Sequence, residues 1–186
     1  MTLEDAHAAK ILTPMQTWGK PFSGTAEWKP APRLKFLNPA GTWHYKTETT
    51  WVDGEDFFVM HDTSTFPDGR KEFRNAYAKR VAPDRVMVAY DGMASGMEIN
   101  LRADGFTSTF RYQQAPFPRL LSRTVYVDVV DDNYVGTAGE ATRRGRAGFE
   151  HLDPSEPVMH DIMSMKWKGR EIGQLILRLT HEEDKS

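Results

Sequence analysis

The chain contains no cysteine, which excludes a disulfide framework, thiolate catalysis, cysteine-ligated zinc and iron–sulfur clusters. No apolar run approaches the length of a membrane span. Neither sign of charge is in excess: 24 basic against 26 acidic residues leave a net charge of -2, so no overall field draws the chain to nucleic acid or an acidic membrane. The six histidines show no His-x-His or His-Glu-x-x-His spacing, which argues against a preorganised metal site. Phosphate-cradling loops, a dinucleotide fingerprint and a Gly-x-Ser-x-Gly elbow are absent as well. Residues 1–9 are acidic and lack the basic-then-apolar order of a secretory signal, so a cytoplasmic protein is expected. These exclusions leave small neutral or anionic ligands open and imply no cofactor.

What is present is strand texture. The 186 residues, 39% hydrophobic and 27% charged, suit a single domain. Thr2 to Leu12 reads as a short helix capped by Thr2. Pro14, Pro21, Pro30, Pro32 and Pro39 punctuate the next stretch, leaving Thr25–Trp28 and Arg33–Leu37 as short extended pieces. Residues 1–40 are therefore read as a helix and a Pro-rich strap over a barrel formed by 41–180. From Gly41 onward alternating segments are separated by turn signals, the pattern of an antiparallel meander. The expected strands are 42–52, 56–66, 70–81, 85–91, 96–102, 106–113, 123–130, 158–167 and 171–180. Residues 131–157, polar and rich in Gly and Arg, have no clear periodicity and read as a lid-like excursion.

The hairpin about Pro67-Asp68-Gly69 sets Asp62 opposite Arg74, Met60 opposite Ala76 and Phe58 opposite Ala78. Counting back through Asp53-Gly54 places Tyr45 beside Asp62. One face then carries Trp43, Tyr45, Trp51, Phe58, Met60, Asp62 and Arg74, and its apolar members make it the interior. Asp104-Gly105 marks a second hairpin whose apolar face holds Met97, Ile99, Leu101, Phe110 and Tyr112. On 85–91 either Val86/Val88/Tyr90 or Met87/Ala89/Asp91 points inward, because a one-residue slip inverts a strand; the first set is favoured. At the terminal hairpin about Lys168-Gly169, Val158, His160 and Ile162 oppose Leu179, Leu177 and Leu175. The alternate face holds Met163, Met165, Trp167, Ile172 and Ile176. Both faces are apolar, so either the strap or a second copy must cover one of them, and a homodimer is slightly favoured.

The Gly41-Thr42-Trp43 tripeptide at the first strand resembles the start of a lipocalin-type barrel, in which an Arg of the last strand covers that Trp; Arg178 is placed for this. Asp62, Asp68-Gly69 and Arg74, then Asp91-Gly92-Met93-Ala94-Ser95-Gly96, Phe110-Arg111-Tyr112, Met163-Ser164 and Ile172-Gly173-Gln174-Leu175 resemble a bacterial lipocalin-like family of unknown function. The resemblance covers roughly two thirds of the chain. It implies an all-β, antiparallel, up-and-down calycin-type barrel of about eight to ten strands, and it supplies no activity.

Two functional readings follow. In the first, the barrel is a cofactor-independent isomerase or lyase for a small aromatic or hydrophobic molecule. Arg74 holds an oxygen, Asp62 orients it, and Tyr45, Tyr90 or His160 moves a proton, among walls of Trp43, Trp51, Phe58, Met60, Phe110 and Tyr112. In the second, the same pocket only binds the molecule. An interaction protein is a third reading. Each residue also has a blander one: Asp62/Arg74 as an exposed ladder, His160 as a satisfied core histidine or a haem ligand, and Arg143, Arg144 and Arg146 as a solvated loop instead of an anion clasp.

Overall fold

The computed structural model describes residues 20–36, 39–53, 57–82, 84–91, 97–102, 104–114 and 125–182. The expected helix at 2–12 lies outside them. Ten strands form one closed antiparallel barrel: β1 (Phe22–Pro30), β2 (Gly41–Asp53), β3 (Phe57–Thr65), β4 (Lys71–Ala82), β5 (Arg85–Tyr90), β6 (Met97–Arg102), β7 (Gly105–Gln114), β8 (Val125–Thr137), β9 (Pro157–Trp167) and β10 (Arg170–His181). Each strand pairs with its sequence neighbours, and β1 closes the ring by pairing with both β2 and β10. Closure leaves no sheet edge. The described architecture is that of an all-β up-and-down barrel with one short helix, α1 (Ala138–Arg143), and is compatible with a lipocalin-like fold. Among the described residues no helix is long and apolar enough to cross a membrane.

The stretch expected to be a strap is instead the first strand. Pro21 and Pro30 flank a proline-free run in which Phe22, Ala26 and Trp28 alternate inward and are buried, so the run fits a central strand and the prolines fall where a missing N–H does least harm. The described part of the Arg33–Leu37 piece is not extended: Pro32–Leu34 forms a single 3-10 turn, and Leu37 lies outside the described residues.

The β3–β4 register is the one expected, with Asp62 facing Arg74 and Met60 facing Ala76. Gly69 takes a φ of 84°, and Phe66 and Arg70 close the turn by a 2.9 Å backbone hydrogen bond. Two other hairpins differ by two residues. Asp53 pairs with Phe57, and the register shifts again at Trp51, so Thr47 faces Asp62 while Tyr45 faces Ser64. Arg102 pairs with Gly105, so Leu101 faces Phe106 and Ile99 faces Ser108. A two-residue shift preserves the face, and the inward assignments of both hairpins survive. On β5, Val86 and Val88 are buried and Met87 is exposed, the favoured orientation.

The terminal hairpin differs by one residue: β10 keeps its expected inward Leu175, Leu177 and Leu179, and the face of β9 inverts. Lys168 and Gly169 both have positive φ, 49° and 73°, as a two-residue turn that matches strand twist requires. Beyond it a bulge between Glu171 and Gly173 inserts one residue. Past the bulge Met163 faces Leu175 and Asp161 faces Leu177. Met159, Asp161, Met163 and Met165 thus point inward, while Val158, His160 and Ile162 point out, the reverse of the expected faces.

The excursion is also shorter than expected, because β8 continues through Thr137. Residues 138–156 fold back on the outer wall. Thr137 caps α1 through a capping box with Glu140, and Ala138, Ala141 and Phe149 form a small buried cluster with Tyr134 and Val158. Arg144 and Arg146 each lie 5.1 Å from the Tyr134 ring. Arg144 pairs with Asp104, and Arg146 bonds Asp132 at 2.8 Å. The expected lid is a wall covering, and two of its three arginines are consumed in holding it down.

Candidate functional site

Inside the barrel lies a cavity of about 140 Å³. That is close to the roughly 150 Å³ that accommodates a benzene-sized molecule. Phe22, Phe58, Val86, Leu101, Val135 and Leu179 fill the adjoining core, towards the end that carries the β8–β9 link. The wall is mainly apolar, with Met60, Met97, Phe110, Met163 and Leu175 among its members. Its polar members form two groups.

The first group gathers on Asp62, which is 7% exposed. The Tyr90 hydroxyl donates to Asp62 Oδ2 at 3.0 Å. Burial raises the Asp62 carboxyl above the ordinary aspartate range, against hydrogen bonds from Thr47, Tyr45 and Tyr90 and the charge of Arg74. Burial, followed by the charge of Asp62, pushes the Tyr45 and Tyr90 phenols well above their usual value. Both phenols therefore remain protonated donors.

The second group is Asp131, Asn133 and Asp161, on β8 and β9. They are 3%, 2% and 4% exposed. Asn133 faces Asp161 directly across the strands, and Asp131 lies one step along. Burial drives the Asp131 carboxyl well above its ordinary range, with the Asp161 charge and hydrogen bond adding to it; burial also raises Asp161. Each carboxyl therefore favours its protonated form more than an ordinary aspartate does. The Oδ1 atoms of Asp131, Asn133 and Asp161 are buried without a hydrogen-bond partner.

Of the residues expected to form a site, Tyr45, Asp62, Arg74, Tyr90, Met60, Phe110 and Tyr112 line the cavity. Phe58 is 2% exposed and belongs to the adjoining core. Trp43 packs in the wall, stacked on Phe66 at 5.3 Å and donating to Ser64 Oγ at 3.1 Å. The Trp51 side chain lies outside the described residues. Arg178 does not cover Trp43: it points outward and holds Glu27 at 2.8 Å and the Ala147 carbonyl at 3.0 Å.

His160 is buried on the outer wall, not in the cavity. Its Nδ1 accepts from Arg146 at 3.1 Å, and its ring meets Phe149 edge-on at 5.7 Å. Burial and then the charges of Arg146 and Arg178 lower its pKa to about 4. A neutral imidazole wedged beneath α1 and the following loop serves neither as a base for an interior substrate nor as a haem ligand there. The bulge at Ile172 is the reason, because it turns the odd-numbered residues of β9 inward.

Arg74 and Asp62 face each other in register, but the guanidinium does not form an ion pair with Asp62 within 4 Å among the described contacts. Arg74 is 48% exposed, 3.9 Å from Glu72 and 5.3 Å from the Tyr112 ring. It stands at the cavity's edge. Arg74→Ala is accordingly expected to lower stability by less than about 1 kcal/mol in urea denaturation. A loss near 3 kcal/mol would mean that the guanidinium is desolvated against Asp62.

The dimer argument also loses its premise. None of Met163, Met165, Trp167, Ile172 and Ile176 is exposed, and the large exposed apolar side chains lie elsewhere, Phe73 and Tyr77 among them. Asp131, Asn133 and Asp161 escaped the sequence reading, although Val127, Val129, Asp131, Asn133 and Val135 alternate strictly; that alternation was the available signal. In comparisons with known proteins, no family model, no curated protein and no solved structure matches this chain.

Proposed function

We propose that the barrel binds a small molecule with an aromatic or otherwise hydrophobic body, held by the apolar wall and oriented by the two polar groups. One observation carries this reading: three buried carboxyls share an apolar cavity. Burying them is destabilising, and apolar residues of similar shape would serve stability as well or better. Apolar walls with a few convergent polar groups are the usual composition of a ligand site. Membership of the bacterial lipocalin-like family that the chain's motifs resemble belongs to the same proposal; it brings no activity with it.

A second reading is cofactor-independent catalysis, as an isomerase or lyase. The Tyr90–Asp62 hydrogen bond and the neighbouring carboxyls of Asp131 and Asp161 favour it, since they set proton donors and acceptors against one space. Tyr45 or Tyr90 would move the proton, Asp62 would orient the reacting group, and Arg74 would steady an oxygen at the edge; His160 has no part.

The test is mass spectrometry of a solvent extract of the purified protein, beside a Met163→Trp variant that fills the cavity. A small molecule present in the wild type and lost from the variant supports binding. An extract without any such molecule, or one unchanged by the variant, counts against it. If the recovered molecule turns over on incubation, Tyr90→Phe should slow turnover by about 100-fold while leaving its affinity within a few-fold.

A further inference from the structure

Among the described residues, the buried unpartnered polar atoms that line the cavity are all acceptors. Of the hydroxyls that line it, Tyr90 donates to Asp62 at 3.0 Å. Beyond the hydrogen bond between the two carboxyls, the Oδ1 atoms of Asp131, Asn133 and Asp161 are buried and meet no donor. Orphaned buried acceptors are rare in folded proteins and call for donors. Among the described residues the wall contains no lysine or histidine, and its one arginine, Arg74, sits half-exposed at the edge. Arg102 and Arg146 are engaged outside by Asp132. Three carboxyls thus face this space against one guanidinium, which stands at the edge.

We infer that the ligand is a small organic cation, a primary or secondary ammonium or an amidinium on an apolar body, whose N–H groups bond Asp131, Asn133 and Asp161. This inference rests on the small-molecule reading above and specifies its ligand class. A protonated nitrogen supplies two or three donors at one point, which is what three converging oxygens require. It also supplies a positive charge beside Asp131 and Asp161, whereas the wall's Arg74 stands at the edge. Methionine and aromatic faces around the rest of the cavity suit the hydrocarbon body of such a ligand, Met through its polarizable sulfur and Phe110 and Tyr112 through their ring faces. An anionic ligand would meet three carboxyls at close range, and a neutral hydrocarbon would leave the three oxygens unpaired.

The experiment is isothermal titration of the full chain with benzylammonium, benzyl alcohol and benzoate, which share a ring and differ in the head group. Benzylammonium is expected to bind at least about tenfold more tightly than benzyl alcohol, and benzoate more weakly than either. Its affinity should rise as the pH is raised, because the cation favours the ionised carboxyls, whereas benzyl alcohol should show no such rise. Asp131→Asn and Asp161→Asn each keep the side-chain shape and remove a buried carboxyl, so the barrel stays folded. Each should weaken benzylammonium about tenfold and change benzyl alcohol less than about twofold. Benzyl alcohol or benzoate binding as well as benzylammonium would overturn the cation assignment and leave the small-molecule reading standing. Failure of all three to bind would overturn it too, and the solvent extract then decides whether the small-molecule reading falls with it.

Discussion

Gly105→Ala should lower the stability of this barrel by about 4 kcal/mol, and Gly105→Val by little more. Gly105 opens β7 directly opposite Tyr134, with a φ of 141°. A Cβ there would run into the Asn133 carbonyl, 2.8 Å from its carbon and 3.0 Å from Tyr134 Cα. All three obstacles are backbone, so no rotamer change relieves them. The first carbon does the damage, which is why alanine and valine should behave alike. Asn133 belongs to the candidate site, so relaxation around the clash would also displace one of the cavity's acceptors. Two controls separate space from backbone conformation. Gly69 has a φ of 84° and open space around it, so Gly69→Ala should show conformational strain alone, about 1 kcal/mol. Gly41 has neither a positive φ nor any atom within 4 Å of the added carbon, and Gly41→Ala should change stability by less than about 0.5 kcal/mol. Urea denaturation of the variants checks the order, and a Gly105→Ala protein as stable as Gly41→Ala would show that β7 and β8 do not approach this closely.

Stability should fall as the solution is acidified through the titration of His160. Its pKa is about 4 in the folded protein against an ordinary 6.5. Above pH 6.5 the imidazole is neutral in both states, and the full contribution is present. Between the two values the unfolded chain takes up a proton that the folded one refuses, so unfolding becomes easier as pH falls; below about 4 both states are protonated and the loss is complete. At about 1.4 kcal/mol per pH unit the whole contribution is about 3 kcal/mol. The buried aspartates act in the opposite direction. Their folded values are raised, so their contribution is complete at low pH and is lost as pH rises. The wild-type curve therefore sums two slopes of opposite sign, and a difference isolates the histidine. His160→Gln retains an acceptor for Arg146 and cannot be charged. The stability difference between wild type and His160→Gln should shift by about 3 kcal/mol between pH 7 and 4, against the wild type. A difference independent of pH would place His160 in water, and with it the loop that covers it.

Local chemistry in the sequence was enough to establish most of this barrel. Alternation from Gly41 to Tyr112 marked six strands and their inward faces, and Pro67-Asp68-Gly69 set the register that puts Asp62 opposite Arg74. Errors of two residues at the β2–β3 and β6–β7 links did no harm, because side chains alternate with a period of two. Three features were decided by distant parts of the chain. The strand Phe22–Pro30 looked like a strap because its prolines dominate the local signal, and only the unpaired sides of β2 and β10 make it a strand. The polar run Asp131–Asn133 looked like a loop because half-buried sheets usually turn polar residues outward; here β9 pairs with it throughout, so the alternation continues into the cavity. The face of β9 depends on the single residue inserted at Ile172. That bulge is not legible nearby, since its reason is contact from β1: at Gly173 a side chain would meet the Lys29 carbonyl and the Trp28 ring. One inserted residue exchanges His160 for Asp161 on the inner wall, and the character of the cavity changes from basic to acidic.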